Sequence, residues 1–161
     1  MAQVDYFLKI EGVESESTDE KYKGWIELES FSWGETNAGT AGHGAGSGAG
    51  KVQPQDFHFV KRVDKSSPLL AQSCATGKHF AKGQLICRKA GDKPLVYYTT
   101  DLEQFIISSY QIGGSKGDEI PTEQISLNFS KALWAYTTQD DKGGGKATEK
   151  KGYDFAASKS F

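Results

Sequence analysis

Apolar and polar residues alternate with a period of two through most of this chain, and only one stretch carries the marks of a helix. Val4, Tyr6, Leu8 and Ile10 alternate with Asp5, Lys9 and Glu11, which places an apolar row on one face of an extended segment. The pattern returns at Phe57 and Phe59 against His58 and Val60, at Leu85 and Cys87 against Gln84, Ile86 and Arg88, and at Ile125, Leu127 and Phe129. Between Leu95 and Ile112 the chain is thick with Val96, Tyr97, Tyr98, Phe105, Ile106, Ile107 and Tyr110, residue types that suit a pleated, half-buried surface. A strand with one apolar face must bury it against another sheet or by curling the sheet on itself. The reading is therefore a mainly β protein, a barrel or sandwich of about seven or more strands with one short side helix.

Local signals divide the pattern. Ser66-Ser67-Pro68-Leu69-Leu70 predicts a helix start, with Ser67 as N-cap and Pro68 at the first helical position. Leu70 and Cys74 then share a face, Gly77 follows the C-terminus, and Lys78 and His79 lie near the negative end of the dipole. Ile26 and Leu28 fall on one parity and Phe31 and Trp33 on the other, a phase change expected of a bulge or of a bend between two sheets. Gly91-Asp92-Lys93-Pro94 predicts the turn of a hairpin, and residues 113–118 a loop. Residues 12–23 are polar and acidic and are expected to pack nothing. Gly143-Gly144-Gly145 is expected to be a soft linker before a short last strand near Tyr153 to Phe155.

At 161 residues the chain has the size of one domain, residues 1–161. Its outlying number is 19 Gly, and six of the twelve residues from Gly39 to Gly50 are glycine. Such a run supplies no core side chains, and a Gly-rich loop is expected at about 37–52. A phosphate loop needs Gly, four residues, then Gly-Lys and a hydroxyl residue. Here Ala45 stands where the first Gly should be and Val52 where the hydroxyl should be, ahead of a strand and not a helix. Gly39, Gly42, His43, Gly44, Gly46, Ser47, Gly48, Gly50 and Lys51 are read instead as an excursion that orders against a partner.

With 19 basic and 21 acidic residues, the net charge of -2 argues against affinity built on neutralising nucleic-acid phosphates. No window approaches the ~20 apolar residues of a membrane-spanning helix, so no membrane insertion is expected. The first residues lack the basic start and apolar run of a signal peptide, so synthesis and folding in the cytoplasm are expected, with any export by another route. Cys74 and Cys87 fit no zinc or redox spacing and are expected to be buried, reduced thiols.

Chemistry is hard to assemble from the rest. His43, His58 and His79 lack a second ligand at metal spacing, Gly46-Ser47-Gly48 is not a nucleophile elbow, and Glu27 with Glu29 reads as a solvated strand face. Asn128-Phe129-Ser130 matches a glycosylation pattern but falls inside a strand. No catalytic residue, metal or cofactor is expected, and the chain is not read as an enzyme. Trp25, Trp33 and Trp134, with seven Tyr, would suit a sugar-binding face, but core and interface packing accounts for them better.

Longer phrases carry a family resemblance. Asp5-Tyr6-Phe7-Leu8-Lys9-Ile10-Glu11-Gly12-Val13-Glu14-Ser15-Glu16-Ser17, Lys23-Gly24-Trp25-Ile26-Glu27-Leu28 and Phe31-Ser32-Trp33-Gly34 resemble the opening of Hcp, the tube protein of the type VI secretion system. Gly50-Lys51-Val52, Asp56-Phe57-His58-Phe59, residues 63–70 and Thr76-Gly77-Lys78-His79 resemble its middle, and residues 126–131 and Gly152-Tyr153-Asp154 its end. Ala132-Leu133-Trp134-Ala135 departs from the expected alternation, and Tyr153 stands where a Trp is common.

The resemblance implies a tail-tube-like β-barrel with a side helix, assembled as a homohexameric ring. Rings would stack into a hollow tube that a contractile sheath propels and releases without a signal peptide. Implied partners are further copies of itself, a spike of the VgrG type, the sheath and baseplate, and effector proteins in the lumen. The Gly-rich loop is then expected to reach the adjacent ring, and its deletion to spare the fold and weaken stacking. The alternative is a secreted effector or ligand-binding β-sandwich acting as a monomer.

Overall fold

The computed structural model describes residues 4–39 and 49–161, and within them the chain forms eleven strands and one helix. β1 (Val4–Ile10) pairs along its whole length with β7 (His79–Lys89) and, on its other side, with β2 (Ile26–Glu27). β7 pairs with β8 (Leu95–Gly113), β8 with β9 (Thr122–Gln139), β9 with β6 (Phe57–Arg62), and β6 with β3 (Ser30–Ser32). Every pairing is antiparallel. The chain joins β2 to β3 through Leu28, whose N–H donates to the Tyr6 carbonyl, and Glu29, whose N–H donates to the Val60 carbonyl. That junction closes the circuit into a barrel, and closure removes most of the exposed edges an open sheet would leave. It is also where the parity of apolar residues switches, so the predicted bend marks a change of pairing partner.

Inside the barrel Leu8, Ile10, Phe57, Phe59, Phe105 and Ile125 are fully buried. A Cβ on Gly83 would lie 3.0 Å from the Phe105 ring and 3.1 Å from the Lys9 carbonyl, so glycine there lets the ring and β1 come close. Trp33 packs against Trp134, with ring centroids 5.1 Å apart, and against Phe129 at 6.0 Å, while Trp25 meets Tyr22 edge-on at 5.0 Å. The tryptophans are packing residues.

Several expectations need correction. The helix α1 (Ser67–Thr76) begins one residue early. Ser67 does not cap it, because its hydroxyl accepts the Asp64 N–H at 2.9 Å and donates to Glu123 at 2.8 Å. At the other end Gly77 has φ +67°, as foreseen, and donates to the Cys74 carbonyl. Lys78 lies over the Phe80 ring at 5.3 Å, and His79 already opens β7. Gly143 (φ +87°) belongs to a tight turn in which the Asp140 carboxylate accepts the N–H groups of Lys142 and Gly144, so the three glycines are not a linker. The strand that follows, β10 (Gly145–Asp154), is ten residues long, and β11 (Lys159–Ser160) pairs with its end. Residues 132–135 do not interrupt β9, which passes through them paired to both β8 and β10.

Residues 12–23 are the largest correction. Val13, Ser15 and Ser17 are buried while Glu14 and Glu16 are exposed, and the Ser15 and Ser17 N–H groups donate to the carbonyls of Gly24 and Trp25. The segment lies extended on the barrel. Its alternation is of serine with glutamate, which carries no hydropathy contrast and so gave no signal.

Candidate assembly interface

The interior of the barrel holds one buried polar cluster that positions the segments around it. Lys61 and Glu123, each with no exposed side-chain surface, form a close ion pair between β6 and β9. The Lys61 ammonium also donates to Asp64 (3.2 Å), to the Ser67 hydroxyl (3.2 Å) and to the Arg62 carbonyl (2.9 Å). Tyr110 on β8 donates to the second Glu123 oxygen. Asp64 in turn accepts the hydroxyl of Ser15 and both the N–H and hydroxyl of Ser66. Three strands, the start of α1 and the serine face of residues 13–17 thus meet at one cation and two carboxylates, nearly every lone pair of which has a donor. Burial opposes ionisation of Asp64, but hydrogen bonds from Ser15 and Ser66 and the Lys61 charge outweigh it and hold its carboxyl below the usual range. Burial and the Glu123 carboxylate push the Tyr110 phenol well above its usual value.

A second anchor holds residues 19–22. The Arg88 guanidinium bonds Asp19 at 2.8 and 3.1 Å and Asp5 at 2.9 Å, and lies over the rings of Phe7 and Tyr22. Its hydrogen bond lowers the pKa of Asp19. Because the folded-state pKa values of Asp19 and Asp64 lie below their unfolded values, the stability they contribute is present above the unfolded value and lost as pH falls through the folded one. The unfolding free energy should be flat from neutral pH to about 5 and fall below about pH 4. Urea midpoints across this range check it, and Asp64→Asn should make the acid limb shallower.

Outside the barrel the chain presents two further features. β4 (Glu35–Gly39) and β5 (Ala49–Pro54) form a separate two-stranded sheet, an arm that leaves the barrel after Trp33. Gly39 pairs opposite Ala49, Gly50 lies in β5, and Lys51 is exposed on it. The expected loop from about 37 to 52 is therefore strand at both ends. Gly42, His43, Gly44, Gly46, Ser47 and Gly48 fall outside the described residues. The other feature is β10, which pairs with β9 on one side. On its other side, among the described residues, only Gly152 to Asp154 are covered, by residues 159–161. A Cβ on Gly152 would collide with the Phe161 ring, so glycine makes room for that ring.

No constellation for covalent chemistry emerges among the described residues, and no group of His, Cys, Asp and Glu there could hold a metal ion. His58 bonds the Ser126 hydroxyl at 3.1 Å and His79 is exposed. Glu29 is paired with the exposed Arg62, and Glu27 faces solvent. Cys87 is buried, its thiol pushed up to about 12 by burial, while Cys74 is only half-buried; neither forms a disulfide. A cleft of about 630 Å³ is lined by Leu102 and Ala132 together with the Lys131–Glu103 ion pair (3.4 Å). No helix among the described residues is long and apolar enough to cross a membrane.

The sequence model of the family described as "Type VI secretion system effector, Hcp" matches residues 7–136, which span the barrel, the arm and the polar cluster. The chain belongs to the Hcp family. Protein hcp1 of Pseudomonas aeruginosa is 40% identical over 141 residues, 87% of each chain. A solved structure of a type six secretion system protein superposes with a TM-score of 0.91 at 30% identity, covering 99% of this chain and 100% of the other. Hcp1 from Salmonella typhimurium follows with a TM-score of 0.80 at 33% identity over the full length of both. Hcp proteins are secreted structural proteins and not enzymes. The glycines mark the position of the arm, though as a loop and not as two strands, while the cluster is hidden because Lys61 on the parity of Phe59 and Glu123 on the parity of Ile125 find each other only across β6 and β9.

Proposed function

We propose that the chain, as one domain over residues 1–161, is the repeating subunit of a type VI secretion tube. Copies join as a hexameric ring, rings stack into a hollow tube, and the tube is propelled by a sheath from a baseplate, tipped by a VgrG-type spike and able to carry effectors in its lumen. Membership of the Hcp family carries this reading. It is supported by a barrel circuit with unpaired backbone edges on β10 and on the arm. Unpaired edges of this kind are the usual means by which β proteins join neighbours.

In this reading the arm, with Gly39, Gly42, His43, Gly44, Gly46, Ser47, Gly48, Gly50 and Lys51, reaches the adjacent ring. Light scattering coupled to size exclusion should give six times 17.5 kDa, with rings in negative-stain images. A strictly monomeric species at high concentration would overturn the reading. Deleting residues 39–50 should leave the melting curve of the ring nearly unchanged, since β4 and β5 pair only with each other, while abolishing end-to-end stacks. Loss of the folded ring itself on that deletion would contradict the assignment of the arm.

A further inference from the structure

Two surfaces with opposite excess charge lie on different parts of this molecule, the basic one carrying three lysines to the single Glu149, and among the described residues neither is fully paired off. On β10, Lys146, Lys150 and Lys151 are exposed along the stretch whose outer backbone edge is unpaired. Among the described residues none of them has a carboxylate within 4.0 Å. Tyr136, 50% exposed, sits opposite Glu149 on the neighbouring β9 and so shares a sheet face with Lys151, adding apolar surface to this edge. Lysines on an edge strand repel a strand of like charge and admit an acidic one, so the edge selects its partner.

The acidic surface is a cleft of about 420 Å³ between residues 16–17, the β2–β3 junction and the end of β6. Glu16, Glu27, Glu29 and Asp64 line it against a single guanidinium, Arg62. Arg62 is already committed to Glu29 and Asp64 to Lys61, which leaves the exposed Glu16 and Glu27 without a side-chain cation among the described residues, Glu16 accepting only the Lys65 N–H at 3.0 Å. This cleft too carries apolar surface, with Val4 44% exposed at its rim beside Leu28.

We infer that the lysine edge of β10 in one copy docks at the Glu16–Glu27–Glu29 cleft of the next. The occupant is a second copy of this chain, identified by charge complementarity and by the matched apolar residues, Tyr136 against Val4 and Leu28. The inference rests on the tube reading above and specifies which surfaces meet around a ring. Because the two patches are different, the contact is head-to-tail, the geometry that closes into rings and not into isolated two-fold dimers. Raising salt, which shortens the screening length from about 10 Å at 0.1 M to about 3 Å at 1 M, should dissociate rings.

A charge-swap experiment tests it. K146E/K150E/K151E places acid against acid, and E27K/E29K places base against base. Each variant alone should keep its circular-dichroism melting behaviour but form rings about a hundredfold less readily or worse. Mixed in equal amounts, the two should regain rings of alternating copies, because each edge then faces a cleft of opposite charge at every contact. Rings from either variant alone, or folded variants that stay apart when mixed while the unaltered protein forms rings, would overturn the inference and leave the tube reading standing. An unaltered protein that forms no ring would overturn both.

Discussion

Lys61→Ala is expected to lower the unfolding free energy by about 3–5 kcal/mol, among the largest effects available to a single substitution here. The side chain has no exposed surface and is the cation facing Glu123, which is equally buried, and Asp64. Removing it leaves two carboxylates in a low-dielectric site with no opposite charge, and Ser67 and the Arg62 carbonyl lose a donor. Folding must then either bind a proton or admit water. Urea unfolding at matched protein concentration measures the loss, since association also contributes to apparent stability. K61M/E123Q should recover part of it, because the more deeply buried of the two carboxylates is gone and the amide can still bond both hydroxyls, its oxygen accepting from one and its NH2 donating to the other. A Lys61→Ala protein within about 1 kcal/mol of the original would show that the cluster is dispensable for stability.

Phe105→Ala should cost about 3–5 kcal/mol by a different route, the opening of a cavity. The ring is 1% exposed, stacks on Phe80 at a centroid distance of 5.6 Å, and fills the space left by the missing Cβ of Gly83. β1, β7 and β8 are held by backbone hydrogen bonds across this point and cannot collapse into the gap. The double variant G83A/F105A is expected to be less damaging than the sum of its parts, since the alanine methyl would enter the space the ring vacated. Additive losses would show that Gly83 is required by the close approach of the Lys9 carbonyl instead.

The two substitutions differ in how far their importance could be read in advance. Phe105 stands in an apolar run that predicts a buried strand, and its neighbours in sequence carry the same signal. Lys61 falls on the parity of Phe57 and Phe59, so the pattern puts a charge on the buried face of the strand without showing what would neutralise it. Its burial depends on β9 bringing Glu123 alongside, sixty-two residues away, and on α1 delivering Ser67. Serines at 15 and 17 are silent for the same reason, because their value lies in Asp64 and in the carbonyls of residues 24 and 25. Ser67 misled in a related way. A serine before Pro68 is a good cap by local criteria, yet its hydroxyl is drawn to Glu123, a partner that local criteria do not see.

The residues by themselves determined that this is a β protein with one helix ending at Gly77, that the chain bends between Leu28 and Phe31, and that its longest phrases are those of the Hcp family. All of these rest on short-range periodicity, on backbone preferences of Gly and Pro, or on the order of residues. Tertiary structure alone decided that β2 and β3 close a barrel between β1 and β6, that Val13, Ser15 and Ser17 lie buried on it with Ser15 bonded to the Asp64 that flanks the Lys61–Glu123 pair, and that β10 keeps a lysine-bearing edge unpaired among the described residues. The physical reason is that a period of two tells a strand which face to bury but not which strand lies beside it. That choice is made by backbone hydrogen bonds and ion pairs between residues far apart in sequence, whose energy exists only once the chain has closed on itself.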